Sequence, residues 1–377
     1  MSSVEIGLWS FPVLILLIFL RVPIAAAMLG TGVIGTFLVL GKWTPILSQL
    51  KALPWSTNAN YSLSIIPLFL LMGQFAARGG MSQALFNAAA AFLGHRKGGV
   101  AMAAVGACAG FGSICGSSLA TAATMAQVAL PELKRNGYDG GLATATLAAG
   151  GTLGILIPPS VVLVIYAILA EQNIAKLFLA AFVPGIIAAI SYLLVIAIYV
   201  RLKPESAGQA KRIPWAERVP ALIAVWPVVA IFFLVVGGIY LGWFTPTQAA
   251  AIGATGAGLV AWQAGGLSKG ALFDCFKETA VSTGMIFFIV LGASVFNSFL
   301  AFSRLPQLGA EWVTAQGFAP MTVLIIILIL YIIFGCIMDS LSMIILTIPI
   351  FFPIVTAMDF GLSPEHFAIW FGILVLM

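Results

Sequence analysis

The chain has 377 residues, of which 62% are hydrophobic and 8% charged, with a mean hydropathy of +1.12. That excludes an ordinary soluble domain, in which about a quarter of residues are charged, and the apolar runs are too long for barrel strands. The formal net charge of +5 is no nucleic-acid signal, because the basic residues punctuate apolar runs instead of gathering on one face. The expected class is an all-α polytopic membrane protein.

The N-terminus lacks the basic region and small-residue cleavage site of a signal peptide, so the run from Gly7 to Leu20 is expected to remain as a span. Further runs suited to crossing a bilayer fall near 22–40, 62–78, 142–170, 177–200, 219–241, 245–263, 279–303 and 363–377. Residues 41–61 are mixed, with Trp43 and Trp55 suited to the interface. Residues 83–94 are too short to span and read as an interfacial arm. Residues 201–218 hold Arg201, Lys203, Lys211, Arg212 and Arg218 with two prolines, a polar linker that the positive-inside rule places in the cytoplasm. Cys108, Cys115, Cys275 and Cys336 have no metal-type spacing and are expected as free thiols; His95 and His366 lie at predicted interfaces and read as structural.

The most informative stretch is the uncharged run from Gly98 to Glu132, closed by Arg96-Lys97 and Lys134-Arg135, with Gly112-Ser113-Ile114-Cys115-Gly116-Ser117-Ser118 at its middle. Each arm of roughly 16 residues gives about 24 Å of helix, short of a ~30 Å hydrocarbon core. Two short arms around a Gly/Ser tip predict a re-entrant hairpin, which is tolerated only against a protein-walled cavity. Transporters place substrate and coupling-ion sites at such breaks.

An internal repeat supports a second hairpin. At an offset of 223, Pro23, Ala26, Ala27, Gly30 and Gly35 match Pro246, Ala249, Ala250, Gly253 and Gly258. Phe111, Gly112, Ile114 and Ser117 match Phe334, Gly335, Ile337 and Ser340 at the same offset. The expected organisation is a first repeat at 1–200, the linker at 201–218 and a second repeat at 219–377. The first repeat would hold scaffold helices, the arm, a hairpin near 98–133 and a broken helix near 142–170; the second hairpin would lie near 319–359. If the arm lies flat, five crossings separate Pro23 from Pro246, so the repeats are inverted and the N-terminus is periplasmic. The lack of any Lys or Arg after Arg304 suits periplasmic feet for the second hairpin.

Inverted hairpins whose tips approach the midplane suggest chemistry. The helix beginning at Gly116-Ser117-Ser118 aims N–H groups at a carboxylate, while released carbonyls near Ser113 suit sodium. Thr121 and Thr124 extend the hydroxyl face; the other reading of these small residues is close helix packing. Leu156-Ile157-Pro158-Pro159-Ser160, behind Gly150-Gly151-Thr152-Leu153-Gly154, predicts a discontinuous helix with an unwound centre, or else a simple kink. Asp339, beside Ser340, is the carboxylate embedded in an apolar context, open to sodium ligation, protonation or helix capping. Asn297 and Ser298 could face the same cavity or bond across helices. The candidate substrate contacts are therefore Gly116, Ser117, Ser118, Thr121, Pro158, Pro159 and Asn297. The candidate sodium ligands are Ser113, Ser117, Gly151, Thr152, Asp339 and Ser340.

The run from Gly112 to Thr124, then Pro131-Glu132-Leu133, Gly137-Tyr138 and Gly154-Ile155-Leu156-Ile157-Pro158-Pro159-Ser160, closely resembles the large membrane subunit of tripartite ATP-independent periplasmic (TRAP) transporters. The resemblance runs along essentially the whole chain, including Pro67-Leu68-Phe69 with Gly73 and Met338-Asp339-Ser340 with Pro349 and Pro353. It implies an elevator-type, sodium-coupled importer of organic acids such as dicarboxylates or sialic acid, with the fold of the ion transporter superfamily. It also implies two partners, a small four-helix membrane subunit and a soluble periplasmic substrate-binding protein, and a place in the bacterial inner membrane. The family's second Pro-Pro motif would fall at 381–382, past Met377, so the second cation site and final helices are expected to be missing here. A binding-protein-independent sodium/dicarboxylate carrier is the alternative. No protease motif and no phosphate-binding loop occur, so neither an enzyme nor an ATP-driven pump is expected.

Overall fold

The structure is a computed structural model that describes residues 2–336 and 338–377, and among these residues the regular elements are helices. In chain order they are α1 (Ser3–Phe19), α2 (Ile24–Leu40), α3 (Thr44–Asn58), α4 (Ile65–Arg78), α5 (Met81–Leu93), α6 (Gly99–Cys115) and α7 (Ser118–Arg135). Then come α8 (Gly140–Leu156), α9 (Val161–Leu169), α10 (Ile174–Leu202), α11 (Trp215–Ile223), α12 (Trp226–Phe232) and α13 (Gly238–Tyr240), with a π-helical stretch at Phe233–Gly237. The chain continues as α14 (Pro246–Gln263), α15 (Lys269–Ser303), α16 (Leu305–Ala315), α17 (Pro320–Gly335), α18 (Ser340–Thr356) and α19 (Pro364–Leu376).

Local sequence fixes many of these ends. Ser2 and Glu5 form a capping box at α1, as Thr245 and Gln248 do at α14, where Pro246 takes the first helical position. Asp139, Asn173 and Asp339 cap α8, α10 and α18. Residues in the left-handed region stop helices at Gly41, Gly80 and Gly137, and again at Gly265, Arg304 and Gly361, each pair 224 positions apart. The order of backbone stops thus recurs along the chain, one residue away from the sequence offset.

Four helices among the described residues are long and apolar enough to cross a membrane: Tyr61–Arg78, Ile174–Leu202, Trp215–Tyr240 and Lys269–Ser303. The pair α8 and α9, bent by 47°, makes a fifth if counted as one span. Several expected spans are shorter; α1, α2 and α19 have 17, 17 and 13 residues, or about 20–26 Å of helix. Residues 41–61, expected to be mixed, fold largely as α3, with Trp43 and Trp55 exposed. The break in the proline-interrupted helix also lies later than the glycines indicate. The helix is continuous through Gly150–Gly154 and unwinds only at 157–160.

The chain forms two compact units. One contains Ser64–Val164 and Asn173–Ala280, and its core is α6, α7 and α8 packed together, with α5 against α6 and α4 against α14. The other contains residues 2–63, Ile165–Gln172 and Val281–Leu376, in which α1 packs on α2, α16 and α17 on α18, and α19 on both α17 and α18. In this second unit Gly372 lies against the Tyr166 ring, whose hydroxyl donates to Ala368 O at 2.5 Å. Each unit draws on both sequence repeats, and α9 and α15 contribute residues to both.

Candidate functional site

The first hairpin has its turn where the sequence places it. α6 ends at Cys115; Gly116 takes φ +66°, a left-handed conformation that costs glycine nothing, and its N–H donates to Gly112 O at 2.9 Å. Ser117 is extended and caps α7, its Oγ accepting from Ala120 N–H at 3.4 Å. The turn is fastened to the proline break: Val161 N–H donates to Gly116 O at 3.2 Å. A Cβ on Gly116 would sit 2.9 Å from Pro159 O, so only glycine lets the two backbones approach this closely. Pro158, Pro159 and Ser160 are buried, the Pro158–Pro159 peptide is cis, and Ser160 Oγ accepts from Leu163 N–H at 3.3 Å.

Three glycines of α8 form the floor beneath the turn. A Cβ on Gly112 of α6 would lie 2.6 Å from Gly154 Cα; one on Gly154 would lie 2.7 Å from Thr121 Oγ1 and 3.0 Å from Ser117 O. A Cβ on Gly151 would meet Ala122 Cβ at 2.6 Å and Ser118 O at 3.1 Å, and one on Gly150 would meet Cys108 Sγ at 2.9 Å. Small residues here therefore do pack helices closely, as in membrane interiors generally. They also bring oxygen atoms together. Thr121 is fully buried, and its Oγ1 meets no oxygen or nitrogen partner, only the weak Cys115 thiol beside it. Pro158 and Pro159 have no N–H, so the carbonyls of Gly154 and Ile155 lose their helical donors. Hydroxyls and carbonyls converging on the start of an 18-residue helix can hold a hard cation and a carboxylate side by side.

The structure thus gathers Gly116, Ser117, Ser118, Thr121, Gly151, Pro158 and Pro159. Ser113 lies one turn earlier, buried, its hydroxyl donating to Gly110 O at 2.7 Å. Thr152 lies on another face of α8, where its hydroxyl donates to Ala149 O at 2.7 Å and pairs with Tyr192 of α10 at 3.0 Å. Thr124 lies half-buried farther along α7. Asn297, Asp339 and Ser340 belong to the other unit. There Asn297 Oδ1 is buried without a partner, and Ser298 donates to Ser294 O within its own helix. Asp339 is exposed and caps α18, accepting from Ser342 N–H at 3.3 Å and Ser342 Oγ at 2.5 Å; Ser340 is the first helical residue. The expected partner of Ile114, Ile337, lies outside the described residues.

All four cysteines are free, and His366 Nδ1 pairs with Ser363 Oγ at 2.9 Å near the start of α19. Sequence reasoning passed over three features of the site. These are the link from Gly116 to Val161, the packing of Gly112 on Gly154, and the bond from Thr152 to Tyr192, whose only signal was a lone tyrosine 40 residues away.

A family profile described as "Tripartite ATP-independent periplasmic transporter, DctM component" matches residues 11–377. The chain is 38% identical over 319 residues to the C4-dicarboxylate TRAP transporter large permease protein of Pseudomonas aeruginosa, covering 84% of this chain and 73% of that one. It is 28% identical over 356 residues to the sialic acid TRAP transporter large permease protein of Vibrio cholerae, covering 94% and 81%. Among solved structures, the YdaH transporter of Alcanivorax borkumensis superposes with a TM-score of 0.60 at 14% identity, over 88% of this chain and 77% of that one, a likeness of fold.

Proposed function

Because the chain belongs to the DctM component family of tripartite ATP-independent periplasmic transporters, the large multi-pass permease subunits of the bacterial inner membrane, we propose that it imports organic acids in symport with sodium. The observation that carries this reading is the fully buried Thr121 hydroxyl, met by the weak Cys115 thiol alone, at a hairpin turn fastened to a proline-broken helix. A buried polar atom without a partner costs about 1–3 kcal/mol, which a bound cation would recover. In this reading Ser117 and Ser118, freed by the turn at Gly116, present N–H groups to the substrate carboxylate, and the cation lies among oxygens of Ser113, Ser117, Thr121 and Gly151. Asp339, Ser340 and Asn297 serve the second hairpin. The relatives named for a C4-dicarboxylate and for sialic acid share a carboxylate as the common feature of their substrates.

The mechanism follows the energetics of charge. Each sodium ion moving inward gains about 2.3 kcal/mol per 100 mV of membrane potential, so accumulating an anion takes two or more cations. We further propose inverted repeats, a periplasmic N-terminus, and an elevator movement of the hairpins. Substrate would arrive on a periplasmic binding protein, with a small four-helix membrane subunit completing the scaffold. Proteoliposomes holding this permease and its small subunit test the reading. Uptake of radiolabelled succinate or sialic acid should require both the binding protein and an inward sodium gradient. Uptake without the binding protein would favour the stand-alone carrier, and uptake indifferent to sodium would remove the symport.

A further inference from the structure

The segment between α10 and α11 is not a free polar linker. Ala210 N–H donates to Gly94 O at 3.1 Å, and Asp139 N–H donates to Ser206 O at 2.9 Å. Gly208 lies against the Asn136 carbonyl, leaving no room for a side chain. The segment is strapped across both feet of the first hairpin, one after α5 and the other after α7. It leads into Arg218, which is 4% exposed. Arg218 Nε donates to Ile213 O at 2.9 Å, and its guanidinium lies 4.9 Å from the Trp215 ring centroid and 5.7 Å from that of Phe92. Its Nη2 is buried without a partner, and so is His95 Nδ1.

Among the described residues no carboxylate is seen paired with Arg218. The ion pairs Arg78 with Asp274 and Arg135 with Glu132 both lie elsewhere and do not involve Arg218. The charged groups that bear on His95 are Arg218, Arg212 and Arg96, all of one sign, and Arg96 and Arg212 are exposed at the rim. A buried cation lacking a counter-charge is held at a cost that an anion would remove. The outer face of α11, which opens the apolar run Trp215–Tyr240, favours an anion carried on a lipid. Trp215, Val219, Leu222 and Ile223 are 65%, 52%, 58% and 61% exposed, at the spacing of a single helical face. Beside a basic cluster, that face matches hydrocarbon.

We propose that Arg96, Arg212 and Arg218, with His95, bind the phosphate of an acidic phospholipid whose acyl chains lie along Trp215, Val219, Leu222 and Ile223. The exposed Arg96 and Arg212 make the first contacts, and the charge of Arg218 lies behind them. The lipid would brace the strap, and through it the feet of the first hairpin.

The test measures the melting temperature of the purified protein in mild detergent doped with dioleoylphosphatidylglycerol, with dioleoylphosphatidylcholine, or with inorganic phosphate alone. Phosphatidylglycerol should stabilise the wild type, and phosphatidylcholine and phosphate should not. Arg96→Gln and Arg212→Gln, both at exposed positions, should each weaken the apparent phosphatidylglycerol affinity roughly fivefold while melting like the wild type in phosphatidylcholine. Equal stabilisation by phosphatidylcholine would overturn the proposal, as would full retention of the phosphatidylglycerol effect in the double variant. Stabilisation by phosphate alone would reassign the site to a free anion.

Discussion

Substitution of Gly112 by alanine tests the packing on which the site rests. The added Cβ would lie 2.6 Å from Gly154 Cα and 3.0 Å from Gly154 N. Ordinary carbon contacts lie at 3.5–4.0 Å, so the overlap is about 1 Å. Both neighbours are backbone atoms, so no side-chain rotation relieves it and α6 must move away from α8. Overpacking of this kind costs about 1–3 kcal/mol, offset by about 0.5–1 kcal/mol from replacing glycine inside a helix. Gly106, on the same helix, supplies the control, because a Cβ there meets nothing within 4 Å. Gly106→Ala should gain the helical benefit without the clash. The two variants, compared by thermal unfolding in detergent, should therefore differ by roughly 2 kcal/mol, with Gly112→Ala the less stable. Equal melting temperatures would refute the close approach of α6 and α8 at the turn.

Asp339→Ala should cost about 0.5–2 kcal/mol by uncapping α18, whereas Asp339→Asn keeps the acceptor for Ser342 N–H and should melt like the wild type. If Asp339 also serves the cation, the asparagine variant will show weaker sodium dependence of uptake; unchanged dependence would leave Asp339 a cap alone. Tyr166→Phe removes a buried side-chain bond to the Ala368 carbonyl, which keeps its place in α19, and should lose about 0.5–1.5 kcal/mol by chemical denaturation; a neutral outcome would deny that bond its weight. His95 is held below its usual pKa of 6.5 by burial first and then by Arg218, Arg212 and Arg96. The unfolded chain therefore takes up its proton first. Stability is lost as pH falls through about 6.5, and the loss ends once the folded-state pKa is passed. His95→Gln should flatten the decline in melting temperature between about pH 7 and pH 5; an unchanged slope would assign that decline to other groups.

The first hairpin was legible because its signals are local: basic pairs bound an uncharged run, and Gly116-Ser117 supplies a left-handed turn followed by a helix cap. The proline break was legible for the same reason, since Pro158 and Pro159 cannot continue a helical ladder whatever surrounds them. Its placement was less so. Glycine weakens a helix only slightly, and packing against α6 and α7 keeps α8 regular through Gly154. Thr152 illustrates what pattern cannot supply, because which face of α8 meets α10 depends on Tyr192, far away in sequence. The strap at 203–214 read as a polar linker from its charges, yet its backbone bonds to Gly94 and Asp139 carry no sequence signature. Arg218 was counted as one more cytoplasmic cation, and only the fold reveals it as buried between aromatic rings.

The most direct measurement is the stabilisation of the purified protein by sodium, with potassium as the reference, in the wild type and in Ser117→Ala and Thr121→Val. If oxygens at the first hairpin turn hold the coupling ion, sodium raises the wild-type melting temperature. Thr121→Val, which preserves shape while removing the buried hydroxyl, abolishes that response, and Ser117→Ala weakens it. A sodium response that survives intact in both variants would contradict a cation site at this turn.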